Sequence, residues 1–388
     1  MTVRRTCWWK HALALVALVA TPVAAAGITA PTQAGAGDTV WTVGLGASGQ
    51  LGSGSTNNRA AFGQAVGLID VDEIAGGREH ALARIGGQVW AWGEGSKGAT
   101  GQGNLVDQPT PTRIGSLSGA TEIATGHYHS LALLGDGSVR SWGFNSLGQL
   151  GDGTLTRRSS PVSVSGLSNA VGIAGGRDMS YAVLAGGTVR SWGGGANGEL
   201  GNGTTTQRQT TPVTVSNLSG VVSVAAGRNH ALAVMGNGTV RSWGLNTSGQ
   251  LGDNTRTRRL TPVTVQGLSN VVAVIAGADH SVALTAGGDV YTWGENTRGQ
   301  LGVGGSTDRL VPTRVSGLPE IRAIGAGRDT TLVVSTTGTF YDWGHNDFGQ
   351  LGDGGTATRR TPYLVPGISN AVEAHGGRGY TVLLRDTD

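Results

Sequence analysis

The sequence predicts an all-β protein, a seven-bladed β-propeller built from four-stranded blades. A unit of about fifty residues recurs seven times between Thr39 and the C-terminus, and a fixed period of this length marks a repeat architecture. Each unit holds four short apolar alternations separated by glycine-rich turns, which is the pattern of a four-stranded blade. The 69 glycines and the absence of any run with helical periodicity favour strands and tight turns throughout the chain.

Two glycine positions define the register of the repeat. The first is the glycine of a Trp-Gly pair or its equivalent, and consecutive copies lie 49 to 51 residues apart: Gly44, Gly93, Gly143, Gly193, Gly244, Gly294 and Gly344. The second, here called the repeat glycine, also occurs seven times: Gly77, Gly126, Gly176, Gly227, Gly277, Gly327 and Gly377. Both series give seven copies, so the pattern predicts seven blades.

The two ends of the repeat region predict how the ring closes. The propeller is expected to span residues 39–388, because the first repeat begins in mid-unit at Thr39 and the last one ends in mid-unit after Tyr380. Joined end to start, these segments supply the strands of one further blade. A blade shared between the N- and C-terminal segments would close the ring and remove both open sheet edges.

The residues before the repeats predict export. Arg4, Arg5 and Lys10 precede an apolar run that ends in small residues, and residues 1–26 contain no acid. This is the pattern of a secretory signal peptide, and it leaves open whether the general secretory or the twin-arginine route is used. Residues 27–38 are predicted to be a flexible lead-in. We therefore expect a secreted, extracellular protein.

Charge and cysteine content limit the possible partners. The whole chain has a formal charge of +3, and its three excess charges belong to the predicted signal peptide. The mature protein is formally neutral, which argues against nucleic acid as a partner. Cys7, the only cysteine, also lies in the signal peptide, so no disulfide is expected. The signal peptide is too short to span a bilayer, and no membrane span is predicted.

Two side-chain series follow the repeat and are expected to maintain the fold. Tryptophan precedes the first glycine in six copies, where a large rigid side chain would fill the space between radiating sheets: Trp92, Trp142, Trp192, Trp243, Trp293 and Trp343, with Val43 in the remaining copy. Histidine stands three residues after the repeat glycine in four copies: His80, His129, His230 and His280. A metal site is the alternative for these histidines, but structural hydrogen bonding is favoured because equivalent side chains on different blades lie too far apart to share one ion.

A third side-chain series is also expected to be structural, and the sequence contains no catalytic motif. Internal hydrogen bonds are expected for a recurring arginine: Arg59, Arg158, Arg208, Arg259, Arg309 and Arg359. Asp152, Asp253 and Asp353 are expected to stabilise turns. The chain contains no metal-binding cysteine or histidine motif, no acidic calcium loop and no nucleophile elbow. We therefore expect no catalytic residue, cofactor or metal, and a hydrolase with an unrecognised site is the remaining enzyme alternative.

The recurring Trp-Gly, Gly-Gln-Leu-Gly and Ala-Gly-x-x-His-Ser-Leu-Ala-Leu elements resemble the repeats of the regulator of chromosome condensation family, over essentially all of residues 39–388. The resemblance implies a propeller fold, which in this family carries several unrelated roles. The namesake members exchange nucleotide on a small nuclear GTPase and bind chromatin. That role is not expected here, because the chain lacks a basic tail and its repeat spacing leaves no room for a long blade insertion.

The candidate site is the set of residues directly after the repeat glycines, here called the crown. The first crown position carries mostly arginine: Arg78, His127, Arg177, Arg228, Ala278, Arg328 and Arg378. The second carries mostly acids and amides: Glu79, Tyr128, Asp178, Asn229, Asp279, Asp329 and Gly379. Such a mixed-charge rosette on the turns of a rigid scaffold can bind a carboxylate-bearing partner. The alternative is that each arginine pairs with a neighbouring acid and contributes little to binding.

The sequence thus predicts an exported, non-enzymatic, monomeric scaffold that binds another protein on one loop face. Secreted bacterial relatives that inhibit β-lactamases place aromatic anchors at the second crown position, where this chain has only Tyr128. A β-lactamase-type inhibitor is therefore an alternative function, and a cell-wall or glycan-binding module is another.

Overall fold

The computed structural model describes residues 37–387. The predicted signal peptide, residues 1–26, lies outside the described residues, as do residues 27–36 of the predicted lead-in. Within the described range the chain forms 28 strands joined by turns and bends, and it contains no helix.

The strands form seven antiparallel four-stranded sheets arranged as blades around a central channel. Blade 1 contains β3 (Glu73–Gly76), β4 (His80–Ile85), β5 (Gln88–Gly93) and β6 (Gln108–Arg113). Blade 2 contains β7 (Ala120–Thr125), β8 (His129–Leu134), β9 (Val139–Gly143) and β10 (Arg158–Ser163). Blade 3 contains β11 (Ala170–Gly175), β12 (Met179–Leu184), β13 (Val189–Gly193) and β14 (Gln209–Thr214). Blade 4 contains β15 (Val221–Ala226), β16 (His230–Met235), β17 (Val240–Gly244) and β18 (Arg259–Thr264).

The remaining three blades follow the same order, from the channel outwards. Blade 5 contains β19 (Val271–Ala276), β20 (His280–Thr285), β21 (Val290–Gly294) and β22 (Arg309–Arg314). Blade 6 contains β23 (Ile321–Ala326), β24 (Thr330–Ser335), β25 (Phe340–Gly344) and β26 (Arg359–Leu364). Blade 7 contains β27 (Ala371–Gly376), β28 (Tyr380–Arg385), β1 (Thr39–Gly44) and β2 (Arg59–Gln64). The prediction of an all-β seven-bladed propeller is confirmed.

Blade 7 closes the ring as predicted. β1 pairs antiparallel with β28 from Thr39 opposite Arg385 to Gly44 opposite Tyr380. Its two inner strands therefore come from the end of the chain and its two outer strands from the beginning. Because of this pairing, neither β1 nor β28 is left with an unpaired edge where the first and last repeats meet.

The hydrophobic core is distributed between the blades, not gathered at one centre. Each cluster of buried side chains joins two neighbouring sheets, as where Tyr181 of blade 3 packs with Val224 and Trp243 of blade 4. All six tryptophans of the repeat are fully buried. Their indole nitrogens donate to backbone carbonyls in the turn of the preceding blade, at distances of 2.7–2.9 Å. The predicted packing role of the tryptophans is confirmed.

The seventh tryptophan position is filled in a way that the repeat did not predict. Val43 occupies the register, and Phe62 on the outer strand of blade 7 supplies the missing ring. A Cβ atom added at Gly352 would lie 2.6 Å from Phe62 Cε2, where the equivalent glycines of other blades meet an indole. The same ring packs edge-on against Phe340, with centroids 5.8 Å apart.

The histidine series forms hydrogen bonds between blades. Each Nε2 atom lies 2.8–3.1 Å from a serine or threonine hydroxyl of the next blade: His80 with Ser130, His129 with Ser180, His230 with Ser281, and His280 with Thr331. Burial lowers the pKa of these histidines to about 3 or 4, so they are neutral at neutral pH. Structural hydrogen bonding is confirmed for all four.

Internal hydrogen bonds were predicted for the arginine series that begins with Arg59 and ends with Arg359, and this prediction holds for only part of the series. Asp152, Asp253 and Asp353 each accept from a turn backbone amide two residues later. They also pair with an arginine of the series: Arg158 at 2.9 Å, Arg259 at 2.7 Å and Arg359 at 2.8 Å. In the copies with Arg59, Arg208 and Arg309, the aspartate is replaced by Ser53, Asn202 and Val303, so this ion pair cannot form there.

Candidate functional site

The crown lies where the first strand of each blade leaves the channel and turns into the second. Its first residues are linked by backbone hydrogen bonds that run from blade to blade around the channel mouth. The backbone amide of Arg78 donates to the carbonyl of His127 at 3.3 Å. The backbone amide of Arg378 in blade 7 donates to the carbonyl of Arg78 in blade 1 at 3.0 Å, which links the last repeat to the first. The backbone amides of Arg228 and Ala278 donate in the same way to the carbonyls of Ala278 and Arg328. Those of Arg177 and Arg328 donate instead to the repeat glycines of the next blade, Gly227 and Gly377. These bonds fix the backbone at the channel mouth.

The second crown residues are fixed in all seven blades. Each backbone carbonyl accepts a hydrogen bond from the backbone amide of the residue that follows the Trp-Gly glycine or its equivalent, at 2.7–2.9 Å. The donors are Leu45, Glu94, Phe144, Gly194, Leu245, Glu295 and His345. Because the backbone makes the bond, the side chain at this position is free to vary. The seven crown turns thus share one backbone hydrogen bond and differ in their side chains.

The crown arginines are all engaged in ion pairs with crown acids. Arg78, Arg177 and Arg328 each pair with the next residue in the chain, at 3.6, 3.1 and 3.4 Å. Two further pairs cross between blades. Arg378 of blade 7 contacts Glu79 of blade 1 at 3.1 Å, and Arg228 of blade 4 contacts Asp279 of blade 5. The arginine side chains nevertheless retain 30–47% of their accessible surface.

The protonation states of the crown follow from its partial burial. Burial raises the pKa of Asp279 to about 6, against the opposing effect of the Arg228 guanidinium. Burial likewise raises the pKa of Asp178, which Arg177 lowers. Burial, with the positive charges of Arg177 and Arg78, lowers the pKa of His127 to about 3. His127 therefore adds no positive charge to the crown at neutral pH.

Tyr128 is the centre of an aromatic and cationic cluster between blades 1 and 2. Its ring centroid lies 5.0 Å from the Arg78 guanidinium and 6.0 Å from the Lys97 ammonium. Phe144 packs against it at 6.4 Å in an edge-on arrangement. Lys97 and Phe144 come from neighbouring turns, so the series of crown positions gave no signal for them. A partly exposed tyrosine flanked by cations is a typical anchor in protein interfaces.

The channel itself is a cavity of about 290 Å³ with opposite chemistry at its two ends. The arginines of the crown line one end. Towards the other, three adjacent blades carry glutamates at one register: Glu373, Glu73 and Glu122. Each accepts a hydrogen bond from an innermost-strand amide of the next blade, at 3.3–3.4 Å. The other four blades have glycine, serine or alanine there, and aligning this register would have found the difference.

Burial raises the pKa of two of these glutamates. It raises the pKa of Glu73 to about 7, assisted by the Glu373 carboxylate. It raises the pKa of Glu122 well above its usual range, with a further contribution from Glu73. All three carboxyl groups accept hydrogen bonds from the next blade. Among residues 37–387, no group of three or more potential ligand side chains is arranged to hold a metal ion.

A second, smaller cavity of about 210 Å³ opens beside the crown of blades 3 and 4. Arg177, Asp178, Arg228 and Asn229 line it, together with residues of the turn after β13 that include Gly194 and Glu199. The crown residues were predicted from the sequence, whereas the two turn residues were not. In the part of the chain that the structure describes, no helix has the length and apolar character needed to cross a bilayer.

Comparison with known proteins identifies the family. The profile of the Regulator of chromosome condensation (RCC1) repeat matches residues 86–133, 136–183, 186–234, 237–284, 287–334 and 337–384. A second profile of the same repeat matches four segments: 120–149, 221–250, 271–300 and 321–350. No curated protein sequence matches the chain significantly. Because the profile covers most of the sequence, the chain belongs to the RCC1 repeat family, as its motifs predicted.

Solved structures share the fold at low sequence identity. Prp20p of Saccharomyces cerevisiae, described with its binding to Gsp1p and histones, is 23% identical with a TM-score of 0.84, covering 93% of each chain. Yeast RCC1 (Prp20) in a structure with Kap60 gives 22% and 0.83, covering 99% of this chain and 96% of that one. Human WBSCR16 gives 23% and 0.79, with coverage of 90% and 99%. At this identity the similarity shows the propeller fold alone.

Proposed function

We propose that this RCC1-repeat propeller is an exported, non-enzymatic scaffold that binds a partner protein through the crown. The observation that carries the proposal is the combination of a hydrogen-bonded backbone with varied side chains at the same positions. Seven second-position carbonyls make the same bond, yet their side chains include acids, an amide, a tyrosine and a glycine. Recognition residues are commonly held in this way on the turns of a rigid scaffold.

Support from related structures concerns protein binding as a general role. Prp20p, which shares this fold, is described as binding Gsp1p and histones. Neither partner is transferred to this chain, because it is only 23% identical to Prp20p and its predicted mature form is formally neutral. Guanine-nucleotide exchange, which the family resemblance implies, is not proposed. The proposal also includes export of the protein, removal of residues 1–26 by cleavage, and a monomeric state.

The test is affinity capture with the purified chain lacking residues 1–26. The bait is exposed to secreted and cell-envelope proteins, and bound proteins are identified by mass spectrometry. Replacing Arg177, Arg228 and Arg328 together with alanine is expected to weaken capture of a specific partner, because these half-exposed guanidinium groups form much of the crown surface.

A matched control removes the same charge elsewhere on the molecule. Arg140, Arg190 and Arg241 lie on the third strands of blades 2, 3 and 4 and donate to hydroxyls of the outer strands. Their triple alanine variant should capture the partner as the unmodified protein does. Capture that is equal for both triple variants would refute binding through the crown.

Inhibition of a β-lactamase-type enzyme is the second candidate, and the Tyr128 cluster favours it. An aromatic ring flanked by Arg78 and Lys97 is a ready interface anchor. A panel of β-lactamases assayed with the purified protein tests this function directly. Inhibition that is lost in Tyr128→Ala would favour the inhibitor, whereas a panel unaffected by the unmodified protein would eliminate it.

A further inference from the structure

The turn after β13 departs from the repeat in a way that opens the cavity beside the crown. In the other six copies a larger residue follows the Trp-Gly glycine or its equivalent, for example Phe144 in blade 2 and Leu245 in blade 4. Blade 3 has Gly194 at this position. A Cβ atom added at Gly194 would lie 3.1 Å from Leu147 Cδ1 and 3.4 Å from Asp178 Cβ. A side chain at this position would therefore project into the lining of the cavity, and its absence leaves the cavity open.

Glu199 places a buried carboxylate at this cavity. The residue is only 3% exposed, and it stands where five other copies have a neutral glutamine. Its Oε2 atom accepts from the Asn197 backbone amide at 2.6 Å, as the glutamines accept from the amide two residues earlier. Its Oε1 atom accepts from the side-chain amides of Asn197 and Asn229, each at 2.8 Å. The exchange of glutamine for glutamate thus keeps the structural bond and adds a negative charge.

This charge has no cationic partner among residues 37–387, since Glu199 belongs to none of the ion pairs found there. The two arginines that line the cavity are engaged elsewhere, Arg177 with Asp178 and Arg228 with Asp279. A buried carboxylate held only by amides is costly compared with one that faces a cation. Burial raises the pKa of neighbouring Asp178; Arg177 opposes this rise, and the Glu199 carboxylate adds to it.

We propose that this cavity, here called the Glu199 pocket, receives a lysine or arginine side chain of the partner protein, whose cationic group pairs with Glu199. The proposal rests on the proposed function of the crown as a protein-binding face. A carboxylate offers about four acceptor positions, of which three are occupied here, so one remains for an incoming donor. Leu147 lines the same cavity and provides an apolar wall for the aliphatic stem of such a side chain.

The experiment is an NMR titration of the purified protein with single-residue probes. N-acetyl-lysine methylamide and N-acetyl-arginine methylamide are expected to shift the side-chain amide signals of Asn197 and Asn229 in a saturable manner. N-acetyl-glutamine methylamide, which has no charge, should leave them unmoved. Glu199→Gln introduces the residue of five other copies and should weaken binding of the cationic probes about tenfold or more, because a desolvated charge pair is lost. Absence of any saturable shift with both cationic probes would overturn the proposal.

A second variant tests the pocket without altering its charge. Gly194→Leu introduces the residue that blade 4 carries at this register, and the backbone of Gly194 is not in the left-handed region, so the fold should be retained. The leucine is expected to block both cationic probes. Arg140→Ala removes a positive charge outside both the crown and the pocket and should leave probe affinity unchanged. Binding that persists in both Glu199→Gln and Gly194→Leu would place the cation elsewhere.

The same variants separate this proposal from the proposed function. If a captured partner is lost with the triple crown arginine variant but retained with Glu199→Gln and Gly194→Leu, the crown binds protein and the pocket proposal fails. If the cationic probes bind at Glu199 but no protein is captured through the crown, the pocket stands as a cation site and the scaffold function fails.

Discussion

Replacing Trp243 with alanine should remove a large part of the packing between blades 3 and 4. The indole is fully buried and packs edge-on against Tyr181, with ring centroids 5.9 Å apart. Truncation of a buried aromatic side chain to alanine costs about 3–5 kcal/mol. The lost indole hydrogen bond adds little, because the Glu199 carbonyl that accepts it at 2.7 Å also accepts from the Tyr181 hydroxyl at 2.5 Å. We therefore expect the free energy of unfolding to fall by about 4 kcal/mol.

The assay is urea unfolding followed by circular dichroism, comparing the variant with the unmodified protein. Trp90→Ala is the matched control, because Trp90 lies on β5 at a half-buried position that is not part of the repeated tryptophan series. Its free energy of unfolding should fall by only about 1 kcal/mol. A Trp243→Ala variant that loses less than about 1 kcal/mol, with an unchanged denaturant slope, would refute the packing role that we assign to the series.

Three further predictions concern single positions. Burial raises the pKa of Asp342 well above its usual range, so the folded state retains a proton and its stability falls as pH rises above about 4; Asp342→Ser should flatten this decline and raise the urea midpoint at pH 8, and a lower midpoint there would contradict the assignment. Gly244 has φ +103° and an added Cβ would lie 2.5 Å from a carbonyl oxygen, so Gly244→Ala should destabilise more than Gly267→Ala, where φ is +70° but the space is open; thermal melts that show equal losses would contradict this. Burial lowers the pKa of His280 to about 4, so its contribution to stability is present above about pH 6.5 and lost as pH falls towards 4; His280→Gln should reduce the difference in unfolding free energy between pH 7 and pH 5, and an unchanged difference would exclude His280 as a source of acid sensitivity.

The architecture was predictable from the sequence because the repeat reports the same local structure seven times. A single Trp-Gly pair is a weak signal, but seven glycines at nearly constant spacing fix the number of blades and the register of each strand. The split last repeat then determines the closure, which the structure shows as the pairing of β1 with β28. The tryptophan and histidine series were interpretable for the same reason, since a side chain repeated on every blade serves the contact that every blade makes.

The sequence did not predict the contacts between residues that occupy different positions in different repeats. The ion pair of Arg378 with Glu79 spans the closure, and that of Arg228 with Asp279 joins neighbouring blades. Phe62 replaces the missing tryptophan from a different strand, so the register of Val43 gives no indication of it. Glu199 looks like a minor variant of glutamine until the neighbouring turn and the cavity are seen together. Each of these depends on geometry between blades, which a comparison of copies along the chain does not contain.

The pairing of the crown arginines changes which residues are expected to give specificity. Each guanidinium already has a carboxylate partner, so a carboxylate on a binding protein must compete with an internal one and gains little from the exchange. The arginines therefore contribute to binding through their exposed polar surface more than through new ion pairs. Two other places on this surface are better placed to give specificity: the partly exposed Tyr128 ring, and the Glu199 pocket, whose carboxylate belongs to no ion pair among residues 37–387. Both lie within blades 1 to 4, so we expect the most specific contacts with a partner over that half of the ring and contacts with the exposed crown arginines around it.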